Sequence, residues 1–137
     1  MPWRTDSTEE FDAWLDILEE EDQNHIIGAI EVLKRVGPVL GFPLVKPIKT
    51  KTRCTMRELR PASKGAIEVR VLFAWDKKRE AVMLLGGDKS GDWDGWYDRN
   101  ISLADDLFDR HAERQAKEAL SEAPKTQKTP SRKGGRR

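Results

Sequence analysis

The stretch Glu68–Trp75, EVRVLFAW, decides the fold. Six of its eight residues are apolar, and β-branched and aromatic types of this kind favour strands. Alternation puts Val69, Val71, Phe73 and Trp75 on one face, with Arg70, Leu72 and Ala74 on the other. The first face is core. The second carries an arginine among apolar residues, which leaves two readings. Either Arg70 points into water from a solvated face, or the face is a working surface that needs a fixed positive charge.

Period-two patterning extends outward from this strand. CTMRELR (54–60) reads as a preceding strand, PASKGA as a turn, DKKRE (76–80) as a tight hairpin and AVMLLGG (81–87) as a third strand. A short strand around Trp3 to Thr5 would be a fourth. Such a sheet is marginal alone and needs helices over its apolar face. Ser7 and Glu10 have capping-box spacing, and Phe11, Trp14, Leu15 and Leu18 follow at helical intervals. The acidic run Glu19 to Asp22 ends or bends that helix. A second one uses Ile26, Ile27, Ile30, Leu33 and Val36, and stops at Gly37-Pro38. Residues 39–53 read as an extended basic connection, and DKSGDWDGWYDRN after Gly87 as a loop. Ser102 with Asp105 starts a last helix carrying Leu103, Leu107, Phe108 and Leu120.

The expected architecture is therefore α+β. A small antiparallel sheet of three to four strands is covered on one face by two N-terminal helices, with a C-terminal helix added. Residues 1–123 form one domain. The tail 124–137 has no apolar residue and reads as disordered, with six positive charges that either add affinity for nucleic acid or only solubilise.

The charges fall in blocks: −7 over residues 1–42, +7 over 43–89, −5 over 90–123 and +6 over 124–137. A basic middle between acidic flanks suits a polyanionic partner, or merely solvates a strand-rich segment. No run is long and apolar enough to span a membrane, and no secretory h-region opens the chain. The single Cys54 suits a reducing cytoplasm, as a semi-buried strand residue or a reactive thiol. One cysteine and two separated histidines make a poor zinc set. No cofactor or metal is expected. Phosphate-loop, nucleophile-elbow and HExxH signatures are all missing, and the loop acids Asp88, Asp92, Asp94 and Asp98 suit turns better than a metal.

What remains is a set of cations on or beside strands: Arg57, Arg60, Lys64, Arg70 and Lys89. Guanidinium forks on rigid strands match phosphate oxygens. Beside them Trp93, Trp96 and Tyr97 offer rings to stack on bases. Each has an ordinary alternative: Arg57 and Lys64 as plain surface residues, Trp93 as a loop anchor.

The pieces Glu58-Leu59-Arg60, Val69-Arg70-Val71-Leu72-Phe73 and Gly87-Asp88-Lys89, in this element order, resemble the RelE/HigB-type toxins of bacterial toxin–antitoxin pairs. The closest similarity is to the phage-derived Gp49-like branch, over roughly residues 8 to 120. The resemblance implies a metal-independent endoribonuclease that cuts mRNA on the ribosome and is blocked by a cognate antitoxin, of helix-turn-helix type. It implies catalytic roles for Arg70, Lys89 and Tyr97; the cations Arg57, Arg60 and Lys64, with the Trp96 ring, are read from residue chemistry as the RNA contacts. HigB-type members often rely on histidines, whereas both histidines here lie on expected helices. His111 has the better intrinsic pKa for proton transfer, but a surface place on the last helix puts it behind Tyr97. Tyr97 as a base would need its pKa lowered by neighbouring cations. Two other readings stay open: a same-fold, non-cleaving binder of the ParE type that poisons gyrase, and a phage-derived interaction domain.

Overall fold

The structure, a computed structural model, describes residues 2–62, 68–90 and 93–127. Along the chain run β1 (Thr5–Ser7), α1 (Glu9–Asp16), α2 (Glu20–Val36), β2 (Val45–Pro47), β3 (Met56–Leu59), β4 (Val69–Trp75), β5 (Ala81–Asp88) and α3 (Trp93–Gln127). The strands form one sheet in the order β1-β5-β4-β3-β2. The β3-β4-β5 meander is antiparallel, as its hairpin spacing predicts. Two short edge strands complete it. β1 runs parallel to β5, with Thr5 opposite Ala81, and β2 is cut from the basic connection and pairs Val45 with Leu59. The sheet is thus five-stranded and mixed, where three to four antiparallel strands were expected.

Both faces are covered, which is the larger correction. Val71, Phe73 and Met83 pack with Phe11, Ile26 and Leu33 of α1 and α2. Leu72, Ala74, Val82 and Leu84 pack with Trp96, Ile101, Ala104 and Leu107 of α3. Arg70 therefore lies under a helix, not on a solvated face. The sequence pattern misplaced α3 because Asp and Gly between residues 88 and 98 read as turn formers. Burial of Trp96 outweighs those local preferences, and the helix starts at Trp93 instead of Ser102. It runs to Gln127; residues 128–137 of the expected tail lie outside the described residues.

A register shift between Leu72 and Phe73 puts Leu85 opposite the first and Met83 opposite the second, leaving Leu84 as an extra residue on β5. The Thr8 hydroxyl donates to the Leu84 carbonyl at 2.7 Å and accepts from the Phe11 N–H at 3.0 Å. Thr8 is thus the helix cap, one residue after the expected Ser7, because Ser7 is drawn into β1 opposite Met83. Beyond the bulge Gly86 faces α1: a Cβ there would sit 2.2 Å from the Trp14 ring. Gly86→Ala is expected to cost about 1–3 kcal/mol through forced repacking, measured by chemical denaturation. α2 ends as predicted at Gly37, which has φ of 80° and donates its N–H to the Leu33 carbonyl.

Candidate active site

Alternation along β3 puts Glu58 on the α3 side of the sheet, and Arg70 near the start of β4 lies on the same face. Both are 6% exposed. Arg70 Nε lies 3.3 Å from Glu58 Oε1, and its Nη1 donates to the Val69 carbonyl at 2.8 Å. Glu68 Oε1 is 3.7 Å from Arg70 Nη2, and Arg60 Nε is 3.7 Å from Glu58 Oε1. From α3, Tyr97 donates its hydroxyl in a short hydrogen bond to Glu58 Oε2. Lys89, 4% exposed, follows β5 and holds its ammonium 5.2 Å from the Tyr97 ring centroid. Rigid strands and one helix thus converge a carboxylate, a phenol and three cations.

Electrostatics follow from this packing. Burial, then the hydrogen bond to Glu58, pushes the Tyr97 phenol well above its ordinary value. A role as base would need the opposite shift; Arg70 does act in that direction, but burial and Glu58 outweigh it. At neutral pH Tyr97 is a proton donor. Burial, then the charge of Arg70, holds Lys89 below the usual lysine range.

The cluster opens onto a cavity of about 570 Å³. Glu58, Arg60, Lys89 and Tyr97 line it, together with Lys46 and Lys49 from β2 and the loop after it and Asp94 and Asp98 from α3. Arg70, buried and paired with Glu58, does not line the cavity. Of the residues singled out from sequence, Arg60, Arg70, Lys89 and Tyr97 come together. Arg57 does not: it lies on the opposite face, where Nη1 donates to the Pro38 carbonyl at 2.9 Å. Trp96 is buried against Gly87, whose Cβ would meet the indole at 2.5 Å, so its ring is closed to a base. Lys64 lies outside the described residues, as does the side chain of Trp93. Sequence reasoning passed over Glu58, although its alternation with Arg60 carried the signal. It also passed over Lys46 and Lys49, which lacked a strand pattern to place them.

Part of the charge patterning is spent internally. Arg53 pairs with Asp106 at 2.7 Å and Asp109 at 2.9 Å, tying the basic connection to α3. The Cys54 thiol, partnered by Asp105, is pushed up to about 12, by burial first. It is no reactive thiolate.

His111 is not a surface residue. It is 4% exposed, with Nε2 2.9 Å from Asp76 Oδ2 and Nδ1 4.0 Å from Asp6. Asp76 follows the last residue of β4 and Arg70 stands near its start, so about 20 Å separates His111 from the cluster. Asp76 also accepts from the Lys78 and Glu80 N–H groups and from Gln115, closing the hairpin. Burial pushes its carboxyl up, but these bonds outweigh it and hold it below the usual range. Its contribution is present above the unfolded value of about 3.9 and is lost as pH falls through the lower folded value. Asp76→Asn is expected to lose about 1–3 kcal/mol at neutral pH and to flatten the acid limb of stability against pH, read by thermal melts.

The folded chain is thus an α+β domain whose sheet presents a buried carboxylate–phenol–cation cluster to a cavity lined by four cations and three carboxylates. Residues 13–109 match the family described as phage-derived protein Gp49-like, and the chain belongs to that family. It is 46% identical over 109 residues to "Putative toxin HigB2" of Mycobacterium tuberculosis (strain ATCC 25618 / H37Rv), covering 80% of this chain and 54% of that protein. It is 45% identical over 92 residues to "Putative toxin HigB3" of the same organism, covering 67% and 78%. The chain thus matches about half the length of the first relative and most of the second. No solved structure matches it. The family resemblance carried by the E-L-R, V-R-V-L-F and G-D-K motifs is borne out.

Proposed function

We propose that this protein is the toxin of a toxin–antitoxin pair, an endoribonuclease that cuts mRNA on the ribosome using the ribose 2′-hydroxyl. The observation that carries the reading is Glu58 hydrogen-bonded to Tyr97 within a wall of cations facing a cavity. Similarity to two proteins named as HigB toxins supports the same class.

Cleavage needs in-line attack, charge neutralisation and proton transfer at both ends. Arg60 and Lys89 face the cavity and take the scissile phosphate, while Arg70 adds positive charge from behind and orients Glu58. Glu58 accepts the 2′-hydroxyl proton as the 2′ oxygen bonds to phosphorus. Tyr97, kept protonated by its surroundings, gives its proton to the departing 5′ oxygen. The hydrogen bond between them returns the proton from Glu58 to Tyr97, so the products are a 2′,3′-cyclic phosphate and a 5′-hydroxyl with the enzyme restored. Developing charge on phosphorus is stabilised by cations fixed in place before reaction. A cognate antitoxin of helix-turn-helix type, acting in the cytoplasm, silences the site.

The test is inducible expression in bacteria with transcript 5′ ends mapped after induction. In-frame cuts within translated messages are expected. Growth arrest with gyrase-linked DNA breaks and intact messages would instead assign a ParE-type action, and no arrest from soluble protein would overturn the toxin reading.

A further inference from the structure

Among the described residues, one aromatic ring stands in solvent, next to a side chain that lines the cavity. Phe42 is 77% exposed, whereas Phe11 and Phe73 are buried and Phe108 half-buried. Its segment is held in place. The Val45 N–H donates to the Gly41 carbonyl at 3.1 Å, and the Arg60 N–H donates to the Leu44 carbonyl at 2.7 Å. The Arg60 guanidinium carbon lies 5.8 Å from the Phe42 ring centroid, and the same side chain lines the cavity. A cation facing the cavity therefore engages one side of the ring, while most of the ring stays open to water.

We propose that Phe42 is a stacking platform for one nucleobase of single-stranded RNA, at the edge of the cavity where Arg60 takes the phosphate. Lys46 and Lys49, which line the cavity from the strand and loop following Phe42, hold the neighbouring backbone. The inference rests on the RNA-cleaving reading of the cavity. Its physical basis is the pairing of cavity-lining cations, Arg60, Lys46 and Lys49, with a fixed aromatic ring, the arrangement that binds unpaired strands by backbone charge and base stacking together. A protein segment could also cover an exposed ring. The cavity lining holds Lys46, Lys49, Arg60 and Lys89 against Glu58, Asp94 and Asp98, and three of those cations stand with the ring on the β2 and β3 side. That pairing favours a ligand that brings both negative charge and flat apolar faces, which RNA does at every nucleotide.

The experiment compares cleavage on programmed ribosomes by wild type, Phe42→Ala, Phe42→Leu and Phe42→Trp. Stacking of one base corresponds to roughly 5- to 150-fold in affinity, so Ala and Leu are expected to raise KM by about that factor with kcat little changed. Trp should keep the wild-type KM. Because the ring is exposed, all four should melt at the same temperature. Cleavage by Ala or Leu with wild-type KM would overturn the inference and leave the function standing. If the variants cut normally but no longer bind antitoxin, the ring belongs to a protein partner and the inference is likewise overturned. If wild type itself cuts nothing, the function fails and Phe42 stacking fails with it.

Discussion

Arg70→Ala is expected to lower cleavage by about 10²–10³-fold, the usual consequence of removing one fixed charge-stabilising group from an active site. Arg70 does not line the cavity, so the loss comes through the phosphate-binding field and through Glu58, which it holds at 3.3 Å. The same change leaves the Glu58 carboxylate buried with less compensation, and breaking such a pair costs about 3–5 kcal/mol. Activity loss alone would therefore be ambiguous. The double variant Arg70→Met with Glu58→Leu removes both charges and is expected to recover much of the stability while staying inactive. Unfolding curves beside cleavage rates separate the two effects. Wild-type cleavage by Arg70→Ala would remove Arg70 from the mechanism.

Glu58→Gln is expected to cost about 10²–10⁴-fold in cleavage, since the proton acceptor is lost while shape is kept. It has a second readout. The chain holds a single tyrosine, so phenolate absorbance reports Tyr97 alone. In wild type that absorbance should rise only well above pH 10, because burial and the Glu58 hydrogen bond hold the phenol protonated. In Glu58→Gln the burial remains and the carboxylate is gone, so the titration should move down toward the ordinary value. Stability follows by linkage. A folded pKa raised above the unfolded value of about 10 gives a contribution present below that pH and lost as pH rises through the folded value. The variant should lose less stability between neutral and strongly alkaline pH. An unchanged tyrosine titration would mean the hydrogen bond does not form in solution.

Lys89 adds a check in the same direction. Its ammonium is held below the ordinary lysine range, so any activity that depends on its charge should fall off as pH rises before an ordinary lysine would titrate.

The meander from Met56 to Asp88 was legible because its side chains alternate along β3 and β4 and the DKKRE hairpin residues are turn formers; the bulge at Leu84 on β5 was not. Both helices before it were legible from apolar spacing and from Gly37-Pro38. The family was legible from three short strand motifs. Of the site, Arg60, Arg70, Lys89 and Tyr97 were visible as chemistry, but their arrangement was not. Alternation shows which face a residue takes, and it is silent on what covers that face.

That covering was decided by tertiary structure. Local propensity reads residues 88–98 as a loop, yet burying Trp96 and Ile101 against the sheet outweighs those preferences and begins α3 at Trp93. With the helix in place Arg70 goes from a surface group to a buried one, Tyr97 reaches Glu58, and Lys89 is desolvated. His111 moves the other way, from an expected surface position into a buried pair with Asp76 that closes the far end of the sheet. Sequence by itself determined the three meander strands, their adjacency and the family, because those follow from side-chain period and local motif; the edge pairings of β1 and β2 came only with the packed sheet. Only the packed structure decided which charges meet and which proton is held where, since burial and distance set both.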